Sequence, residues 1–130
     1  MTIKELSQLY HLNREIEQEK HRLRELEAAA TNTASSITGL PHVGGISDKT
    51  AIAAQIADCR AVIEAKIQLS IVEYNQLNRY IENVQDSLTR QILTLRFIHG
   101  LSWNQVAMSV GGWNTADGVR KHVNRFLKNH

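Results

Sequence analysis

The sequence predicts an all-α protein, a long antiparallel, coiled-coil-like helical hairpin followed by a small helix-turn-helix domain. Three observations predict it: an N-terminal stretch of strong helix formers without Gly or Pro, a second stretch with apolar residues every three or four positions, and a C-terminal third punctuated by helix caps and glycines. Of 130 residues, 42% are hydrophobic and 5% aromatic, enough for a core but with few of the large rings that thicken one.

Thr2 to Ala30 is rich in Glu, Lys, Arg, Leu and Gln, all good helix formers. Leu9, Leu12, Ile16, Leu23 and Leu26 fall at alternating a and d heptad positions with Glu19 at the intervening d, so the first helix, 2–30, carries a short coiled-coil seam. At about 1.5 Å per residue it runs roughly 40 Å, too long for a domain of this size to bury alone. Residues 31–47, TNTASSITGLPHVGGIS, break the pattern with Gly39, Pro41, Gly44 and Gly45 and read as a loop. A phosphate cradle is the other reading of those glycines; no strand precedes them and no G-K-[ST] follows, which favours a connector.

Ser47 or Asp48 then caps a second helix, 48–84. Its stripe is Ile52, Ile56, Cys59, Ile63, Ile67, Ser70, Tyr74, Leu77, Ile81 and Val84, in steps of three and four with a stutter near Ile67. Two long amphipathic helices joined by one loop fold back on each other, because each needs an apolar partner along its length. The stripes exceed what one hairpin covers, which predicts a homo-oligomer formed through it. Residues 1–85 are thus read as a hairpin stalk and 86–130 as a separate domain.

Charge divides the chain at the same place. Residues 86–130 hold six basic residues (Arg90, Arg96, Arg120, Lys121, Arg125, Lys128) against two acids (Asp86, Asp117), a balance of +4, whereas 1–85 hold nine against eleven, a balance of −2. A basic unit joined to a mildly acidic extension points to a polyanion-binding head on a protein-facing stalk.

Within the head, Asp86 or Ser87 caps a helix whose apolar face is Leu88, Ile92, Leu95 and Ile98, with Leu93 and Phe97 alongside, and Gly100 sits where a helix C-terminus wants positive φ. Ser102-Trp103-Asn104-Gln105 is an S-x-x-Q capping box opening a short helix with Val106, Ala107 and Val110 inward. Gly111-Gly112 supplies a turn, and Asn114 or Thr115 caps a last helix. There Val119, His122, Val123, Phe126 and Leu127 share one face, and Asp117, Arg120, Lys121, Asn124, Arg125 and Lys128 share the other. A helix, a tight turn and a second helix with a cationic face is the arrangement that places a recognition helix in a DNA major groove. Arg and Lys neutralise phosphates, while Arg and Asn pair with base edges. Thr115, Ala116, Arg120, Lys121 and Asn124 are placed to reach bases, with Asn114 beside them at the cap; Arg125, Lys128, Asn104 and Gln105 are placed for phosphates.

The stretch LTRQILTLRFIHGLSWNQVA (88–107) followed by GVRKHVNRFL (118–127) resembles region four of bacterial sigma factors, and more closely prophage regulators of the RinA and ArpU type, which carry such a head after a helical N-terminal region. The head resemblance covers about a third of the chain. It implies a supporting helix over Ser102 to Val110, a recognition helix over Thr115 to Lys128, double-stranded DNA as partner, and RNA polymerase as a second partner. The chain departs from the sigma pattern in two ways. The turn between Gly111 and Val119 is two residues longer. Gly118 falls inside the recognition helix, where it either lets the backbone approach DNA or moves the helix start to Asp117 or later; the second reading is favoured. Promoter-melting regions have no counterpart, so unaided initiation is not expected.

Other chemistries find little support. Cys59, the only cysteine, reads as a packed thiol. The six histidines, His11, His21, His42, His99, His122 and His130, lack paired ligand spacing, so no metal or cofactor is expected, and His122 reads as a packing residue on an apolar face. No nucleophile elbow or Walker motif is present, so no catalytic residue is assigned and the chain is not read as an enzyme. Trp103 and Trp113 at the ends of the head helices read as core plugs rather than base-stacking rings. No run approaches the roughly 18 apolar residues of a membrane span, and the N-terminus lacks a signal-peptide core, so a cytoplasmic protein without a membrane partner is expected. The leading expectation is a sequence-specific DNA-binding transcriptional regulator of phage origin acting with host RNA polymerase. The alternatives are a DNA-packaging protein resembling a small terminase subunit and a helical adaptor that does not bind DNA.

Overall fold

A computed structural model describes residues 1–35 and 45–130, with side chains described over 1–31 and 49–130. All described elements are helical, as expected: α1 (Ile3–Leu6), α2 (Gln8–Ser35), α3 (Gly45–Glu82), α4 (Ser87–Leu93), α5 (Trp103–Val110) and α6 (Ala116–Asn129), with one π-helical turn at Thr94–Ile98. No described helix is long and apolar enough to cross a membrane. The chain forms two compact units, Asn13–Gln68 and Met1–Leu12 with Leu69–His130.

Asn13–Gln68 is a helical hairpin, made from α2 and the first part of α3. The helices run antiparallel: Glu15 meets Lys66 (Oε2 to Nζ, 3.4 Å), and further along α2 Glu19 meets Cys59, whose Sγ donates to the Glu19 carbonyl at 3.4 Å. Ile16, Cys59 and Ile63 are buried; Glu19, Leu23, Leu26, Ile52, Ile56 and Ile67 are half-buried. The seam follows the heptad positions read from the sequence. Burial first, then the Glu19 carboxylate, push the Cys59 thiol above its ordinary value, which suits an inert packed sulfur rather than a thiolate. The helices reach further into the expected 31–47 loop than its composition suggests. α2 continues to Ser35, with the Thr31 hydroxyl donating to the Glu27 carbonyl at 3.0 Å, and α3 begins at Gly45, ahead of the expected cap at Ser47 or Asp48. Residues 36–44 and the side chains of Ser47 and Asp48 lie outside the described residues.

The other unit has one continuous core, from Leu6 and Leu9 through Leu77, Ile81 and Val84 to Ile92, Leu93, Phe97, Val106, Ala107, Val119 and Val123. Its boundary therefore falls within the long helices rather than at residue 85. The reason is physical: helices of 7, 8 and 14 residues are too short to enclose a core alone, and α1, the start of α2 and the last turns of α3 close it. α1 opens with a capping box, Thr2 N donating to Glu5 Oε2 (2.9 Å) and Glu5 N to Thr2 Oγ1 (3.2 Å). Ser7 separates α1 from α2, so the expected single helix from Thr2 is divided.

Two apolar assignments shift. Tyr74 is exposed, and Glu73 takes the half-buried place between Ser70 and Leu77, because a helix advances 100° per residue and a stripe in steps of three and four drifts around it. In α4 and the π turn the buried positions are Thr89, Ile92, Leu93 and Phe97, with Leu88, Leu95 and Ile98 only half-buried. The π turn adds a residue to one turn of helix and re-aims the face beyond it. Gly100 then ends the helix at φ +70°, and Leu101 N donates to the Leu95 carbonyl at 3.1 Å, satisfying a terminal carbonyl.

Candidate nucleic-acid interface

The head is built on local signals that the structure realises one by one. Asp86 caps α4: its Oδ2 accepts from Thr89 N at 3.1 Å and from the Thr89 hydroxyl at 2.6 Å. Ser102 and Gln105 form the capping box of α5, Gln105 N donating to Ser102 Oγ (3.2 Å) and Ser102 N to Gln105 Oε1 (2.9 Å). Val106 and Ala107 are buried and Val110 half-buried, as the pattern requires. Thr115 caps α6 by accepting from Gly118 N at 3.0 Å. α6 therefore starts at Ala116, not at Asp117 or later, and Gly118 is the third residue of its first turn. A Cβ at Gly118 would sit 3.0 Å from Thr115 Oγ1, so the missing side chain makes room for the cap.

Val119 and Val123 anchor α6 in the core, with His122, Phe126 and Leu127 half-buried beside them. That fixes the helix's rotation and leaves Arg120, Lys121, Asn124, Arg125 and Lys128 exposed along its other side. Arg120 Nη2 lies 2.8 Å from Asp117 Oδ1 and Lys121 Nζ 4.0 Å from Asp117 Oδ2. The hydrogen bond and charge of Arg120, then the charge of Lys121, hold the Asp117 carboxyl below its ordinary range. The face keeps a cationic excess, with one acid paired inside it.

The remaining sequence-predicted residues divide by what their side chains already do. Asn104 is exposed on α5. Gln105 Oε1 and Thr115 Oγ1 are spent on caps, and Asn114 Nδ2 donates to the Gly111 carbonyl at 2.6 Å, closing the turn. These three shape the interface before they can touch a ligand.

The turn overturns one expectation. Gly111, Gly112 and Trp113 all have positive φ, at 66°, 63° and 69°. A turn with positive φ at both central positions leaves Trp113 no route back to the core, and its ring is wholly solvent-exposed. Trp113 is thus not a core plug. Trp103 is half-buried as expected, edge-on to Phe97 (6.4 Å between ring centres, 86°), with the Arg96 guanidinium 4.5 Å over its ring.

Sequence spacing also missed a polar cluster. Thr89 is 2% exposed, and its hydroxyl lies 2.8 Å from His122 Nε2, with Asp86 Oδ2 3.8 Å from the same nitrogen. Because the Thr89 proton goes to the Asp86 carboxylate, His122 Nε2 carries the hydrogen that Thr89 accepts. These residues hold α4 against α6. With Thr89 enclosed, the trio braces the two helices. Among the described residues, no group of three or more His, Cys, Asp or Glu side chains is arranged to hold a metal ion.

No family model, curated protein or solved structure matches this chain.

Proposed function

We propose that the chain is a sequence-specific DNA-binding transcriptional regulator of phage origin, working in the cytoplasm with host RNA polymerase. The observation that carries this reading is the outward face of α6: Arg120, Lys121, Asn124, Arg125 and Lys128 are exposed on a helix locked in rotation by Val119 and Val123 and preceded by a second capped helix and a turn. Cations on this face displace counterions from phosphates, Arg and Asn read base edges, and the N-terminus of α6 favours an anion. Oligomerisation belongs to the same reading. α3 exposes Val62, Leu69, Ile71, Val72 and Tyr74, apolar area that further helices of a second copy would cover.

Selection of bound duplexes from a random pool tests it, followed by titration of the enriched duplex at increasing salt. Four cationic contacts give a log–log salt slope near −4. Arg120→Ala with Lys121→Ala reduces the slope by about two and weakens binding at least tenfold. Undiminished retention of the double variant on the selected duplex rejects the assignment. The exposed apolar residues of α3 also favour a second reading, a DNA-packaging protein resembling a small terminase subunit. A closed ring of many copies in light scattering supports that reading, and a dimer supports the regulator.

A further inference from the structure

We propose that Trp113 is a DNA-contacting anchor, its ring lying against the deoxyribose carbons and thymine methyls at the edge of the groove that α6 enters. The inference rests on the DNA-binding reading and extends it to a residue that polar pattern-matching does not select. Three observations converge on it. Trp113 is the most exposed of the described large apolar side chains, with none of its surface used in folding. It is also the only described non-glycine residue with positive φ, a conformation that costs a bulky L-residue roughly 1–2 kcal/mol and that its glycine neighbours adopt freely. A residue that is strained and packs against nothing gives the free protein no return, so what it contributes is realised on binding.

Its position and surroundings choose the occupant. Trp113 stands two residues before the Thr115 cap, at the N-terminal end of the helix that carries Arg120, Lys121, Arg125 and Lys128. The only acid in the first turn of that helix, Asp117, is paired to Arg120 and Lys121. A cationic helix face with an anion-favouring terminus and a flat apolar ring beside it complements a duplex, whose charged phosphates alternate with apolar sugar and methyl surface. The turn between α5 and α6, with positive φ at Gly111, Gly112 and Trp113, is what carries the ring out.

Trp113→Gly is the discriminating variant, because glycine accepts the turn conformation and leaves the fold intact. Both proteins are titrated with random-sequence duplex of about three helical turns at low salt, following binding and tryptophan emission. The expected result is a folded Trp113→Gly with an unchanged or raised midpoint of thermal unfolding, binding roughly five- to tenfold weaker than wild type, and emission quenched by duplex in wild type but not in the variant. If the variant binds as tightly as wild type, the anchor is wrong while the DNA reading stands. If wild type binds no duplex at low salt, both fail. If Trp113→Gly instead lowers the sedimenting mass of the DNA-free protein, with duplex binding unaltered, the ring packs on another copy and the proposal is overturned.

Discussion

The two compact units use the same materials to different effect. In the head, Leu6, Ile92, Leu93, Val106, Val119 and Val123 are essentially fully enclosed, because elements approach from several directions. In the Asn13–Gln68 hairpin, two helices face each other and, among the described residues, only Ile16, Cys59 and Ile63 fall below a tenth exposed, the rest of the described seam staying half-wet. A helix with one neighbour buries a stripe; a helix in a bundle buries a face. The head is therefore the more tightly enclosed of the two units.

Core truncation breaks this contrast most directly. Leu93→Ala, at a site with no exposure, costs about 3–5 kcal/mol, whereas Ile63→Ala in the seam, where facing side chains can close the gap, costs about 2 kcal/mol. Denaturant unfolding of both variants measures the pair, and equal losses would mean that the hairpin is as tightly held as the head. A cap gives a smaller effect within the head alone: Ser102→Ala loses about 1 kcal/mol and Ser102→Gly only a few tenths. Native-state hydrogen exchange localises that loss to α5.

The pH dependence is the subtlest probe. The Thr89 hydroxyl and then its amide, with His122 nearby, hold the Asp86 carboxyl below its ordinary value. A carboxylate depressed by folding stabilises fully above the unfolded value near pH 4, and that stability is lost as pH falls through the lower folded value. Asp86→Asn removes this component, so its unfolding midpoint falls less steeply than wild type's below about pH 4. Parallel curves would show that the brace contributes nothing electrostatic.

Much of the scaffold was legible because it is written in local chemistry. Ser102 and Gln105, Asp86, Thr115 and Gly100 announce helix ends through hydrogen bonds and dihedrals that involve near neighbours only. The seam through Leu9, Ile16 and Leu26 and the anchors Val119 and Val123 follow from period alone. What escaped depends on the third dimension. The Thr94–Ile98 π turn has no cap or periodic signature in the sequence, and the Thr89–His122 hydrogen bond spans 33 positions. The Thr2–Glu5 capping box is local too, a T-x-x-E pattern just ahead of the heptad stretch. Trp113 departs from the usual burial of tryptophan because the turn set by the preceding glycines directs its ring outward.

The split head also dictates an order of events on the ribosome. Leu6 and Leu9 are synthesised early but complete their packing only after Val119 and Val123, more than a hundred positions later, have emerged. Until then α1 and the start of α2 have no finished partner, and the brief T-x-x-E cap is what favours a helix there in the nascent chain. Closing so long a loop comes at a cost that grows only logarithmically, so the arrangement penalises folding speed more than final stability. Emergence of α6, rather than of any earlier helix, is the moment at which this core becomes complete.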